Sequence, residues 1–164
     1  MLPFKKILAP VDFSDHANRA LQSATEMATH FGAKLYVIHV VSPVPLLDMA
    51  DLGEFGMGGP VSPVNMGIDV NAYQEHLVTG SRNSLQKLVK QTVPEEVDCQ
   101  IIVEVGDPAA AINAAAVKHQ VDVIVMATHG LTGLSHLLLG SVTEKVARHA
   151  TVPVFIVRQQ KEKS

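Results

Sequence analysis

Apolar runs of strand length alternate with helix-length stretches along this chain, and that alternation limits its fold more than any other feature. The runs are residues 6–11, 35–41, 99–105, 121–126 and 154–158. Neighbouring parallel strands need crossovers of a dozen residues or more, and the intervening stretches are long enough to hold helices. The pattern predicts an α/β fold: an open five-stranded parallel sheet with helices on both faces. Run 121–126 is nearly all apolar, as a central strand covered on both sides should be. In 99–105, Cys99, Ile101, Val103 and Val105 alternate with Gln100, Ile102 and Glu104, which suits a strand near a sheet edge.

The helices carry their own punctuation. Ser14 is placed as an N-cap, with Asp15 at the positive end of the helix dipole. Ala17, Ala20, Leu21, Ala24, Met27, Ala28 and Phe31 then recur at helical spacing, and Gly32 ends the helix. A second helix spans 70–92, with Tyr73, Leu77, Leu85, Leu88 and Val89 on its inner face. Asp107 and Pro108 open a third as N-cap and first-turn proline, running to His119. Ser141 is expected to cap the last helix, which ends at His149.

The chain has 164 residues, enough for one domain with a proper core. A single domain over 1–164 is expected, carrying a long irregular insert at about 42–68. The formal net charge of −3 gives no electrostatic reason to expect nucleic acid or an anionic membrane as partner. No apolar run reaches spanning length and the first residues lack a signal-peptide core, so a cytoplasmic protein is expected. Cys99 is the only cysteine, which excludes an internal disulfide; its place in a strand predicts a packed thiol rather than a reactive one.

Chemistry concentrates between Met126 and Val142. A strand is followed there by a loop with Gly130, Gly133 and Gly140, and then by a helix start at Ser141. Glycines let backbone amides approach a ligand closely, and unpaired amides at a helix start bind phosphate. The combination suggests a phosphate cradle and hence a nucleotide. The competing reading is that these glycines only shape a turn. Neither familiar phosphate motif is present: Ser141, not lysine, follows Gly140, and the turn after the first strand, Pro10-Val11-Asp12-Phe13-Ser14, has no glycine. Ligands of open sheets sit beyond the carboxyl ends of strands where the strand order reverses. If the first and fourth strands are central neighbours, Asp12 and the glycine loop flank that crevice. Asp12 is also open to a plainer role, organising the next helix.

Ala127-x2-Gly130-x9-Gly140-Ser141 resembles the ATP-binding signature of the universal stress protein family, with Ala127 in place of the first glycine. The opening Lys6-Ile-Leu-Ala-Pro-Val-Asp12-Phe-Ser, the central Gly106-Asp-Pro108 and the closing Val152-Pro-Val-Phe-Ile-Val157 are similar to that family too. The resemblance implies a Rossmann-like fold of the adenine-nucleotide alpha-hydrolase type, binding ATP with Mg or Mn carried on its phosphates. By this resemblance Asp12, with Pro10 and Val11 beside it, contacts the nucleoside. The backbone of Val41 or its neighbour Val40 reads the adenine edge. Met126 and Ala127 touch ribose or phosphate by main chain, while Gly130, Gly140, Ser141 and Val142 cradle the phosphates. It further implies a homodimer in which the last strands, from Val152 to Val157, meet antiparallel, and a nucleotide-responsive regulatory role in stress response.

No catalytic residue stands out, because no general base accompanies an arginine or lysine clamp. A slow ATPase or phosphotransfer enzyme on the same site is one alternative; a dimeric module without nucleotide, suggested by Ala127, is another. His129 and His136 lie on the glycine loop without zinc-ligand spacing, so no protein-bound metal is expected. The stretch from Ser42 to Gly67, rich in proline and glycine, is either a flap or partner surface anchored by Leu46, Leu47, Leu52 and Phe55, or a variable loop.

Overall fold

The computed structural model describes residues 4–43, 69–129 and 139–158. In chain order they form β1 (Lys6–Pro10), α1 (Asp15–Phe31), β2 (Lys34–Val41), α2 (Val70–Thr92), β3 (Cys99–Val105), α3 (Pro108–His119), β4 (Val123–Ala127), α4 (Ser141–His149) and β5 (Val154–Val157). The five strands make a parallel sheet in the order β3-β2-β1-β4-β5. The order runs outward from β1 to β3 and then returns to the other side of β1. Crossovers of one hand therefore place the later helices on the opposite face.

Side-chain alternation records this directly. Ile7, Ala9, Leu35, Val37, Val123 and Val125 pack with Leu21 and Ala24 of α1 and Leu85 of α2. Their neighbours along the strands, Leu8, Tyr36, Ile38, Ile124 and Met126, pack with Ile112 and Ala116 of α3 and Val146 of α4. A strand buried on both faces needs apolar residues at every position, and all five residues of β4 are buried. The expected α/β architecture is present, with β1 and β4 as central neighbours and β3 and β5 at the edges.

The caps are mostly those expected. The Ser14 hydroxyl oxygen accepts the amide of Ala17 at 3.1 Å, and Gly32 ends α1 in the left-handed conformation at φ 62°. Asp107 accepts the amide of Ala110 at 2.9 Å at the head of α3.

Several boundaries differ from expectation. β4 starts at Val123 rather than Val121, because Gln120 takes the left-handed cap at φ 54° and Val121 donates to the Ala116 carbonyl at 3.0 Å. Val121 thus closes α3. β1 ends at Pro10, although buried Val11 still donates to the Ile38 carbonyl at 2.8 Å. β5 ends at Val157, so Arg158 is outside the strand. Tyr73 is not on an inner face: it is 49% exposed, whereas Leu85 of the same helix is fully buried. The 23 residues of α2 span about 34 Å and the 7 of β3 about 23 Å, so the first turns of α2 outrun the strand beneath them.

No helix among the described residues is long and apolar enough to cross a membrane. The insert from residue 44 to 68, with Leu46, Leu47, Leu52 and Phe55, lies outside the described residues, as do Gly130, Gly133 and His136.

Candidate functional site

Because β1 and β4 are adjacent and lead to helices on opposite faces, their carboxyl ends form the switch point of the sheet. Half-buried Pro10 and buried Val11 bring the chain out of β1 to Asp12. One carboxylate oxygen of Asp12 accepts the Ser14 amide at 3.0 Å and the Ser14 hydroxyl at 2.6 Å. Ser14 in turn caps α1, so Asp12 does organise the helix start, as its plainer reading holds. Phe13 between them has φ +64°, a region that bulky residues rarely enter.

At the end of β4, Met126 and Ala127 are buried. Two hydrogen bonds fasten the start of α4 to Ala127 and to Thr128 after it. The buried hydroxyl of Thr143 donates to the Ala127 carbonyl at 2.8 Å, and the Gly140 amide donates to the Thr128 carbonyl at 2.6 Å. The Gly140 carbonyl accepts the first intrahelical bond, from Glu144 at 2.9 Å. Gly140 is therefore the N-cap, and the expected assignment of Ser141 to that position is corrected: Ser141 is the first helical residue. The extended backbone of Gly140, φ −66° and ψ 156°, already turns the chain, and no side-chain hydrogen bond caps the helix. The amides of Ser141, Val142 and Thr143 lie in the first turn, where no preceding carbonyl can reach them. None of the described residues accepts from them. They sit at the positive end of the helix dipole.

Val40 and Val41 end β2 beside β1. The Val41 carbonyl accepts the Gly106 amide at 3.0 Å, which leaves one lone pair on that oxygen. Asp12, Val11 and Pro10 thus stand at the end of β1, Met126, Ala127, Gly140, Ser141 and Val142 at the end of β4, and Val40 and Val41 on the flanking strand. The structure brings together the described members of the expected set.

Of the further neighbours, Thr128, Thr143 and His39 were not anticipated, whereas His129 is the histidine expected beside the glycine loop. Thr143 and Thr128 are buried and tie α4 to β4. His129 follows β4 with its Nδ1 3.0 Å from the Thr128 hydroxyl, and its ring lies 6.1 Å from that of His16 on α1. The side chain of His39 reaches the Val11 carbonyl at 2.8 Å. Two threonines beside the glycine motif were visible in the sequence, but their burial depends on where the loop returns. Among the described residues, no group of three or more His, Cys, Asp and Glu could hold a metal ion.

The fold and this crevice define a doubly wound parallel α/β protein with helix-start amides and a carboxylate at its switch point. The family model of the universal stress protein family matches residues 3–158, and the chain belongs to that family. It is 34% identical over 161 residues to universal stress protein MJ0531 of Methanocaldococcus jannaschii, covering 97% of this chain and 85% of that protein. The solved structure of protein MJ0577, from the same organism, superposes with a TM-score of 0.76 at 28% identity, covering 98% of this chain and 100% of the other. A universal stress protein crystallised in complex with cAMP shares the fold, with a TM-score of 0.60 at 22% identity over 94% of this chain and 97% of the other.

Proposed function

We propose that this protein binds ATP at the β1/β4 switch point and acts as a nucleotide-responsive homodimer in stress regulation. The observation that carries the reading is the first turn of α4, whose amides meet no acceptor among the described residues and which Thr143 and Gly140 hold beside the end of β4. Amides at a helix start, with the dipole behind them, suit phosphate oxygens. In this reading Ser141 and Val142 take the phosphates; Gly140, whose amide is held by the Thr128 carbonyl, borders them and allows close approach, and Gly130, outside the described residues, completes the cradle. Met126 and Ala127 border the ribose, and Asp12, next to Pro10 and Val11, accepts its hydroxyls. Val40 or Val41 meets the adenine edge through the backbone. A divalent ion, Mg or Mn, would arrive on the phosphates themselves.

The fold that this chain shares holds an adenine nucleotide, cAMP, in the neighbour described above. For the dimer, the support is β5: it is an outermost strand, and its Phe155 is 52% exposed. An apolar edge strand invites pairing, and a second copy of the same edge would cover it.

Thermal unfolding with and without Mg-ATP tests the nucleotide. Ligand at a hundred times its dissociation constant should stabilise the fold by about 2.7 kcal/mol. Gly140→Val is the control, because valine accepts a φ of −66° and adds bulk at the residue that borders the proposed cradle. A shift that disappears in the variant supports the site. No shift in the native protein rejects it and favours a nucleotide-free module.

A further inference from the structure

His39 stands on the same face of β2 as Leu35 and Val37, half-buried at the carboxyl end of the strand. Its Nδ1 is 2.8 Å from the Val11 carbonyl oxygen. A carbonyl only accepts, so Nδ1 must carry the proton whether the ring is neutral or charged. The same ring meets Phe13, with centroids 4.6 Å apart and planes at 43°. Ile38, the residue before, accepts the Val11 amide at 2.8 Å. Two successive residues of β2 therefore grip Val11 from its amide and its carbonyl, and one of them also holds Phe13. Asp12 lies between the two gripped residues.

Phe13 is held at φ +64°. A bulky residue stays in that region only where its surroundings over-determine it. The contacts just described, with the Asp12–Ser14 hydrogen bonds and the core beneath Phe13, are such surroundings, and two of them, to the Val11 carbonyl and to the Phe13 ring, come from the His39 side chain. We infer that His39 is a positioning residue: by holding the Val11 carbonyl and the Phe13 ring, it fixes the left-handed turn that presents Asp12 at the switch point. Its consequence for ligand affinity rests on the proposed nucleotide site; its consequence for the turn does not.

The experiment has a ligand-free arm and an ATP arm. The Ser14 amide donates to Asp12, so its hydrogen exchange reports whether the turn is held. His39→Leu keeps much of the bulk but loses the donor, while His39→Asn can place an amide nitrogen near the position of Nδ1. In His39→Leu, Ser14 exchange should accelerate and the Mg-ATP dissociation constant should rise, each about tenfold, with His39→Asn retaining both within about threefold. Exchange in His39→Leu equal to the native rate overturns the inference. Equal losses in both variants also overturn it, since the donor would then not matter. Native protein that binds no ATP removes the nucleotide site and leaves the exchange arm to decide. Should His39→Leu not fold, ¹⁵N NMR of the native neutral imidazole decides instead: a proton on Nδ1 supports the inference and one on Nε2 overturns it.

Discussion

The two ends of the sheet are finished in different ways. At the amino ends of the strands, polar groups find partners within the chain. One oxygen of Asp122 accepts the amides of Lys5 and Lys6 at 2.7 and 2.9 Å. The Lys6 ammonium donates to the His119 carbonyl at 3.1 Å, and Lys34 lies 3.5 Å from Asp98. Backbone bonds from Lys34 to Lys5 and from Leu35 to Asp98 add to this closure. The carboxyl ends carry a left-handed phenylalanine and a helix start whose first amides meet no acceptor among the described residues. Hydrogen bonds close the fold at both ends, as those from Gly140 to Thr128 and from Thr143 to Ala127 show, but the first amides of α4 meet no acceptor among the described residues. Open parallel sheets place ligands at that second end.

Substitutions at the two ends should therefore part company. The largest effect is expected for Thr143→Val, which keeps the shape of the side chain but leaves the buried Ala127 carbonyl without its donor. Such a loss costs about 1–3 kcal/mol. Urea unfolding should show it, and Mg-ATP should bind more weakly because α4 is no longer fastened to β4. Stability and binding both at native levels would show that the Thr143 hydroxyl does not fasten α4 to β4. Asp122→Ala should cost less, about 1 kcal/mol, since Asp122 is exposed and water can take over its two amides. Its Mg-ATP affinity should stay at the native value. A loss of affinity matching that of Thr143→Val would show that the two ends are not independent.

How much of this could be read beforehand depends on which forces were local. That these strands are interior was legible because Ile7 and Leu8, like Val123 and Ile124, are apolar neighbours facing opposite cores, whereas the adjacency of β1 and β4 stood only as a condition until the sheet order gave it. The edge character of β3 was visible in its alternation, and Ser14, Gly32 and Asp107 announced their caps by residue type. Gln120 did not announce its own. It occupies a left-handed position where glycine or asparagine is the usual signal, so Val121 read as strand. Phe13 is the same case at the site: nothing about an aromatic residue signals φ +64°. The cap of α4 moved by one residue because Gly140, tied to Thr128, turns the chain without a side-chain oxygen. His39 and Thr143 act through contacts with residues 28 and 16 positions away, which local pattern cannot show.

The smallest effect is expected at Cys99, at the start of β3. Burial, and then the neighbouring Asp98 carboxylate, push its thiol up from 9.0 to about 11, with Lys34 pulling weakly the other way. Folding therefore favours the protonated thiol. Its contribution is complete below pH 9.0 and is lost as pH rises from there through about 11. The quantity that isolates the thiol is the stability difference between the native protein and Cys99→Ala. That difference should change progressively over this window, to the disadvantage of the native protein. Below both values, a displacement of two pKa units lowers the thiolate fraction about a hundredfold, so iodoacetamide should alkylate Cys99 far more slowly than an unfolded peptide thiol. Saturating Mg-ATP should not alter that rate, because the thiol lies at the closed end of the sheet. Alkylation as fast as in the peptide would contradict the packed environment, and a rate that changes with nucleotide would link the two ends after all.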